Sequence, residues 1–139
     1  MTFEDCLKKG LIRREVRAEG RVTRSLEVSS RFLASAWKNY QIQEYEITEM
    51  AAYACLFHAA RALLFRSGYL EHNHSCLVQA LRYLYKDALL LSALDSLDQV
   101  RLSRHNVQYG GDLVDPEEAE YVVRFAGDFL ELARKTLMV

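Results

Sequence analysis

From Arg21 to Tyr40 the apolar side chains Val22, Leu26, Leu33, Trp37 and Tyr40 recur at spacings of three, four or seven, and Arg24, Glu27, Arg31 and Lys38 fall on the opposite side. That spacing predicts an amphipathic helix. The next helix is expected from about Ile47 to Ser67, ended by Gly68. Its stretch MAAYACLFHAARALLF is apolar nearly all round and belongs at the centre of a bundle. After YLEHNHSC, read as a loop, SCLVQALRYLYK predicts a shorter helix with Ser75 as its cap. Residues from about Leu89 to Tyr109 predict another, stopped by Gly110 and Gly111. Asp115, Pro116 and Glu118 form a strong start signal for the last helix, whose inner stripe is Val122, Phe125, Phe129 and Ala133. Thr2 is expected to cap a short N-terminal helix within residues 1–18, with Phe3 and Leu7 on one side. Connections this short imply an all-α fold, an antiparallel up-and-down bundle of four or five helices forming a single domain over residues 1–139.

Composition sharpens the picture. With one proline and six glycines the chain lacks the turn residues an all-β protein needs. The net charge of -1 is unevenly spread: residues 1–40 carry nine Lys/Arg against five Asp/Glu, and the remainder nine against fourteen. Arg13, Arg14, Arg17, Arg21 and Arg24 form a basic run that suits either a solvated helix end or a phosphate backbone. The three cysteines are odd in number and lack CxxC spacing, so neither a disulfide framework nor a zinc ribbon is expected. A reducing cytoplasm fits, the first residues do not read as a secretory signal, and the apolar stretch from Met50 to Phe65 is short of the roughly 20 residues a membrane span needs. His72, His74 and Cys76 alternate in a way that suggests chelation, but without a fourth ligand nearby capping and packing explain them better. No metal or cofactor is expected.

The chemistry concentrates in RLSRHNVQYGGD, residues 101–112. Leu97, Val100, Arg104 and Val107 share one inward stripe, which Arg104 interrupts. Its guanidinium must reach water, a carboxylate, a phosphate or a second chain. Asp98, Arg101, His105, Gln108 and Asp112 form a polar face, on which Asp98 and Arg101 are positioned to pair and His105 is a candidate acid-base group. Tyr109 lies roughly 140° around the helix from Arg104, given ~100° per residue, so the two meet only where a ligand or partner joins them at the helix end. His58 and Arg61 interrupt the apolar helix and demand hydrogen-bond partners, as a structural network or as part of a ligand cleft. Tyr40, Tyr45, Tyr53, Tyr83, Tyr85 and Trp37 read as core rather than as base-stacking surface.

Three segments in order, AAYACLFHAARALLFRSGY, HNHSCLVQALRYLY and RLSRHNVQYGGDLVDPEEAEYVVRFAGDFLELA, resemble the small stand-alone HEPN domain proteins, over roughly Glu19 to Leu137. The resemblance implies an all-α bundle, commonly a homodimer, often encoded beside a minimal nucleotidyltransferase as a toxin-antitoxin pair. Active members are metal-independent endoribonucleases whose motif is an arginine, a polar residue, a few further residues and a histidine. Arg104 matches the arginine, His105 the polar position and Tyr109 the histidine position, so these three are the candidate catalytic residues. Arg101, Asp112, His58 and Arg61 are the candidate ligand-binding residues. Cleavage of RNA through its 2′-hydroxyl needs a base, an acid and cations to hold the phosphorane charge. A tyrosine of ordinary pKa is only about 0.1% ionised at pH 7 and makes a poor base. Two readings therefore stand: an endoribonuclease acting on RNA with an Arg-x4-Tyr motif, regulated by a nucleotidyltransferase that adenylylates Tyr109, or a non-catalytic module that binds nucleotide or docks to the nucleotidyltransferase.

Overall fold

Side-chain caps start four of the six helices in the computed structural model, which describes residues 1–138. Thr2 accepts from the Asp5 amide and the Asp5 carboxylate accepts from the Thr2 amide, a complete capping box that starts α1, Phe3–Lys8. A three-residue strand β1, Ile12–Arg14, and a 3-10 segment, Val16–Arg21, lead into α2, Val22–Gln41. Then follow α3, Tyr45–Arg66; β2, Tyr69–Glu71; α4, His74–Leu84; α5, Ala88–Gly110; and α6, Pro116–Met138. Gly68 and Gly111 take φ of 86° and 76° directly after α3 and α5, which an L side chain resists. Asp115 caps α6 through the Glu118 amide at 2.8 Å, with Pro116 at the first helical position as its fixed φ favours.

The all-α class is as expected, with six helices rather than four or five and one small two-stranded ribbon beside them among the described residues. β1 and β2 pair antiparallel, Ile12 opposite Glu71 and Arg14 opposite Tyr69, where YLEHNHSC reads locally as a loop. Strands of three residues are too short to display an alternating pattern, and their partners lie far apart in sequence. The cap of α4 is Asn73, which accepts from the Cys76 amide at 2.8 Å, so Ser75 lies inside the helix rather than ahead of it. The N-terminal region is one short helix followed by a strand and a 3-10 segment. Cys6 and Cys76 form a disulfide, although the number and spacing of the cysteines suggest no disulfide framework. Nothing local announces that pair, because docking α1 on α4 is what brings the sulfurs together. Cys55 stays free and buried, its thiol pushed up to about 11 by burial.

Helix α3 is the centre of the molecule, packed against α2, α4, α5 and α6, and its residues from Ala52 to Phe65 are mostly buried. The interface with α2 differs from the predicted stripe. Ser25, Ser29 and Ala36 lie deepest, while Leu26, Leu33 and Trp37 flank the core half-buried. Small side chains let the two helices approach closely, and the hydroxyls are satisfied by backbone: Ser25 donates to the His58 carbonyl and Ser29 to the Cys55 carbonyl, both at 2.7 Å. On α6, Val122, Phe129 and Ala133 are buried as their spacing predicts, with Phe125 half-buried beside them.

A buried carboxyl pins α5 to α3. Glu49 has no exposed surface; it accepts a hydrogen bond from the Ser103 hydroxyl at 3.1 Å, and its second oxygen has no partner among the described residues. Burial, then the neighbouring Glu118 and Glu46 carboxylates, push its pKa up, which favours a neutral carboxyl in the folded protein. Ser103 directly precedes Arg104, so this contact fixes the register at which α5 presents its arginine. No described helix is long and apolar enough to cross a membrane.

Candidate functional site

Leu97, Val100 and Val107 of α5 are buried, and Arg104 falls between them on the same stripe as the spacing predicts. Its stem packs inward and its guanidinium carbon sits 4.5 Å from the centre of the Tyr53 ring. Nη1 donates to the Gln108 side-chain oxygen at 3.0 Å, while Nε is buried with no partner among the described residues. An aromatic face and a neutral amide are all that meet this cation, and no carboxylate pairs with it among the described residues. Its charge remains available to an anion. One turn earlier, Arg101 donates through Nε to Asp98 at 2.8 Å, the pair expected on the polar face.

His74 enters this site from the start of α4, a position whose sequence context points only to capping and packing. Its Nδ1 lies 2.8 Å from the Tyr53 hydroxyl, and its ring stacks on Phe57 with centroids 4.1 Å apart. Direction in this pair follows the imidazole tautomer: with the phenol donating to Nδ1, the neutral ring carries its proton on Nε2. Burial, followed by the charges of Arg104, Arg101, Arg61 and His58, holds the His74 pKa down at about 4. Burial raises the Tyr53 pKa, opposed by Arg104. His74 is therefore a neutral donor near pH 7, suited to hydrogen bonding an anionic oxygen without adding a charge.

These groups surround one shallow depression lined by His74, Arg101, Arg104, His105 and Tyr109. Arg104 and Tyr109, roughly 140° apart around the helix, nevertheless line one depression within a single chain. His105 and Tyr109 are exposed, their ring centroids 4.9 Å apart at 49°. A second hollow, walled by Met50, Tyr53, Ala54 and Phe57, adjoins the first and shares His74 and Arg104 with it. A cationic end thus meets an apolar, aromatic one. The HEPN domain family matches residues 22–136. The chain belongs to the HEPN domain family. No curated protein matches it significantly.

The remaining candidates of this HEPN domain lie elsewhere. Asp112 is exposed beyond α5, its amide donating to the Asn106 carbonyl at 3.2 Å, and does not line the groove. Arg61 is satisfied structurally: Nε donates to Glu71 on β2 at 2.8 Å, and its guanidinium carbon lies 4.9 Å from the Phe65 ring centre. His58 stacks on Phe32 with centroids 5.7 Å apart, and burial and Arg61 lower its pKa. His58 and Arg61 face a different depression from the motif, on the far side of Phe57. Of the suggested chelating set, Cys76 is committed to Cys6. Tyr53, buried and inward as expected of core, is also the platform for Arg104 and the anchor of His74. The only trace of these roles in the sequence is a histidine that opens one helix and a tyrosine on the face of another.

The depressed His74 pKa makes stability depend on pH. In the unfolded chain His74 takes up a proton near its ordinary value of 6.5, whereas the folded protein resists until about 4. The His74 contribution is full above pH 6.5 and is lost as pH falls across that window, by about 2 kcal/mol after allowance for partial exposure. Urea titrations between those limits are expected to show the loss in the wild type and a flatter profile in His74→Gln. Equal slopes would contradict the assignment of a neutral, buried imidazole.

Proposed function

We propose that this HEPN domain is a metal-independent endoribonuclease of toxin-antitoxin type, acting on RNA in the groove at the end of α5. The observation that carries the reading is the convergence of Arg101, Arg104, His74, His105 and Tyr109 around one depression. Arg104 holds the scissile phosphate and stabilises charge on the phosphorane, with the His74 Nε2–H as a neutral donor to a phosphate oxygen. His105 accepts the 2′-hydroxyl proton as the 2′-oxygen bonds to phosphorus. The bond from phosphorus to the 5′-oxygen breaks, and Tyr109 supplies the proton that the leaving oxygen takes. The products are a 2′,3′-cyclic phosphate and a 5′-hydroxyl; the tyrosinate then takes a proton from solvent and the His105 imidazolium releases one to it. Tyrosine in the family's histidine position is reasonable on this scheme, since it serves as acid rather than base.

A homodimer and a minimal nucleotidyltransferase partner complete the proposal. Leu102, Tyr109 and Leu113 are exposed along and just beyond the C-terminal half of α5, an apolar margin suited to a second copy; light scattering of the purified protein tests it. The Tyr109 side chain, 67% exposed, is accessible for adenylylation, which would place bulk and negative charge over the groove.

Incubation of end-labelled RNA with the purified protein in chelator is expected to yield cyclic phosphate ends, with His105→Ala at least about 100-fold slower. Full activity of His105→Ala would remove His105 from the mechanism. Absence of cleavage by the wild type, with RNA binding retained, would favour the reading as a non-catalytic module.

A further inference from the structure

A second cationic depression lies across Phe57 from the motif groove. Gly20, Arg21 and Arg24 line it from the 3-10 segment and the first turn of α2, and His58, Arg61 and Phe65 line it from α3. Arg21 and Arg24 are exposed, and no salt bridge engages either guanidinium among the described residues. The first turn of α2 holds no acidic residue, so the positive end of the helix dipole adds to these charges. Arg61, partly neutralised by Glu71, closes the floor.

Phe57 is the wall between the two sites. On one side its ring stacks on His74; on the other it meets His58 edge-on, with centroids 5.3 Å apart, and the Arg61 guanidinium carbon lies 5.4 Å from its centre. Phe57 thus contacts groups of both sites, which share no lining residue. Neither this depression nor the two halves of the motif groove is lined by any of the chain's 19 Asp and Glu residues. Carboxylates repel a polyanion, and their exclusion from all three surfaces favours a nucleic-acid path.

Resting on the RNA reading above, we propose that the two sites form one track for single-stranded RNA: the motif groove takes the reacting phosphate, the aromatic edge of Phe57 and His58 takes a base, and Arg21 and Arg24 hold the phosphate of a flanking nucleotide. The basic run of the N-terminal region is functional at these two positions, and the track selects for a strand longer than the reacting dinucleotide. A duplex is too wide and stiff to follow a path around one side chain.

Fluorescence anisotropy with labelled single-stranded RNAs of roughly three and roughly twelve nucleotides tests the proposal, using the full chain, Arg21→Gln/Arg24→Gln and Arg104→Ala. Neutralising the two arginines is expected to weaken the longer RNA about tenfold and to reduce the slope of log K against log salt by about 1.4. The shorter RNA is expected to lose less than about twofold, since it does not reach the second site. Circular dichroism checks that the double variant, altered only at exposed positions, is folded. Equal losses for both lengths, or none for either while Arg104→Ala still weakens binding, would overturn the track and leave the motif groove standing. If no variant changes RNA binding, or the wild type binds none, the RNA reading fails and the track with it.

Discussion

Arg104→Ala is expected to slow RNA cleavage by about 100- to 1000-fold, the effect of removing a preorganised charge from a developing oxyanion. The guanidinium lies over the Tyr53 ring, is bonded to Gln108 and has no carboxylate partner among the described residues, so the charge is already in place when the phosphate arrives. The same geometry limits the structural cost. Truncation to alanine removes a cation-π interaction and one hydrogen bond to an exposed glutamine, together about 1–2 kcal/mol. Single-turnover rates fitted beside urea titrations separate the two effects. Arg104→Lys should restore part of the rate, because it returns the charge without the planar fork that grips two phosphate oxygens. A rate for Arg104→Ala within about twofold of the wild type would sink the assignment of this groove as the active site.

Reduction of the Cys6–Cys76 disulfide is expected to cost about 4 kcal/mol of stability, the chain-entropy estimate for a cross-link spanning 70 residues. The bond closes α1 onto α4, and α1 has only six residues, too few to persist as a helix by itself. Without the cross-link it is held by Phe3, whose ring stacks on Tyr83 with centroids 4.8 Å apart and meets Tyr69 edge-on at 5.5 Å, and by the β1–β2 ribbon. Residues 1–21 precede the stretch matching the family, so the disulfide secures an extension of the shared fold. It also lies two residues from His74, and Asn73 caps α4 through the Cys76 amide. Loosening this corner should therefore expose the His74 ring, bring its pKa back towards the ordinary value and lessen its contribution to acid sensitivity. Denaturation of the wild type with and without a thiol reductant, beside Cys6→Ser, measures the effect. Identical midpoints for oxidised and reduced protein would show that the bond adds nothing to the native state.

Much of this architecture was legible because its causes are local. The all-round apolar character of α3 announced a central helix, since no exposed face could be made from those residues. Asp115 and Pro116 announced the start of α6, and Gly111 the end of α5, because each satisfies a backbone requirement within a few residues of itself. Arg104 was legible as an interruption in an apolar stripe, and the order of the motifs carried the family. The Ser25 and Ser29 interface was harder to see, since a pattern of hydrophobicity cannot register helices packed through small polar side chains that bond to a neighbouring backbone.

The sequence by itself determined the long helices, the ends of α5 and the start of α6, the position of the motif on α5 and its membership in the family, because side-chain periodicity and capping act over a few residues. Tertiary structure alone decided that Cys6 meets Cys76, that residues 12–14 pair with 69–71, that His74 shares a groove with Arg104, and that His58 and Arg61 face away from it. Those relations join residues far apart in the chain, and packing around α3 brings them together.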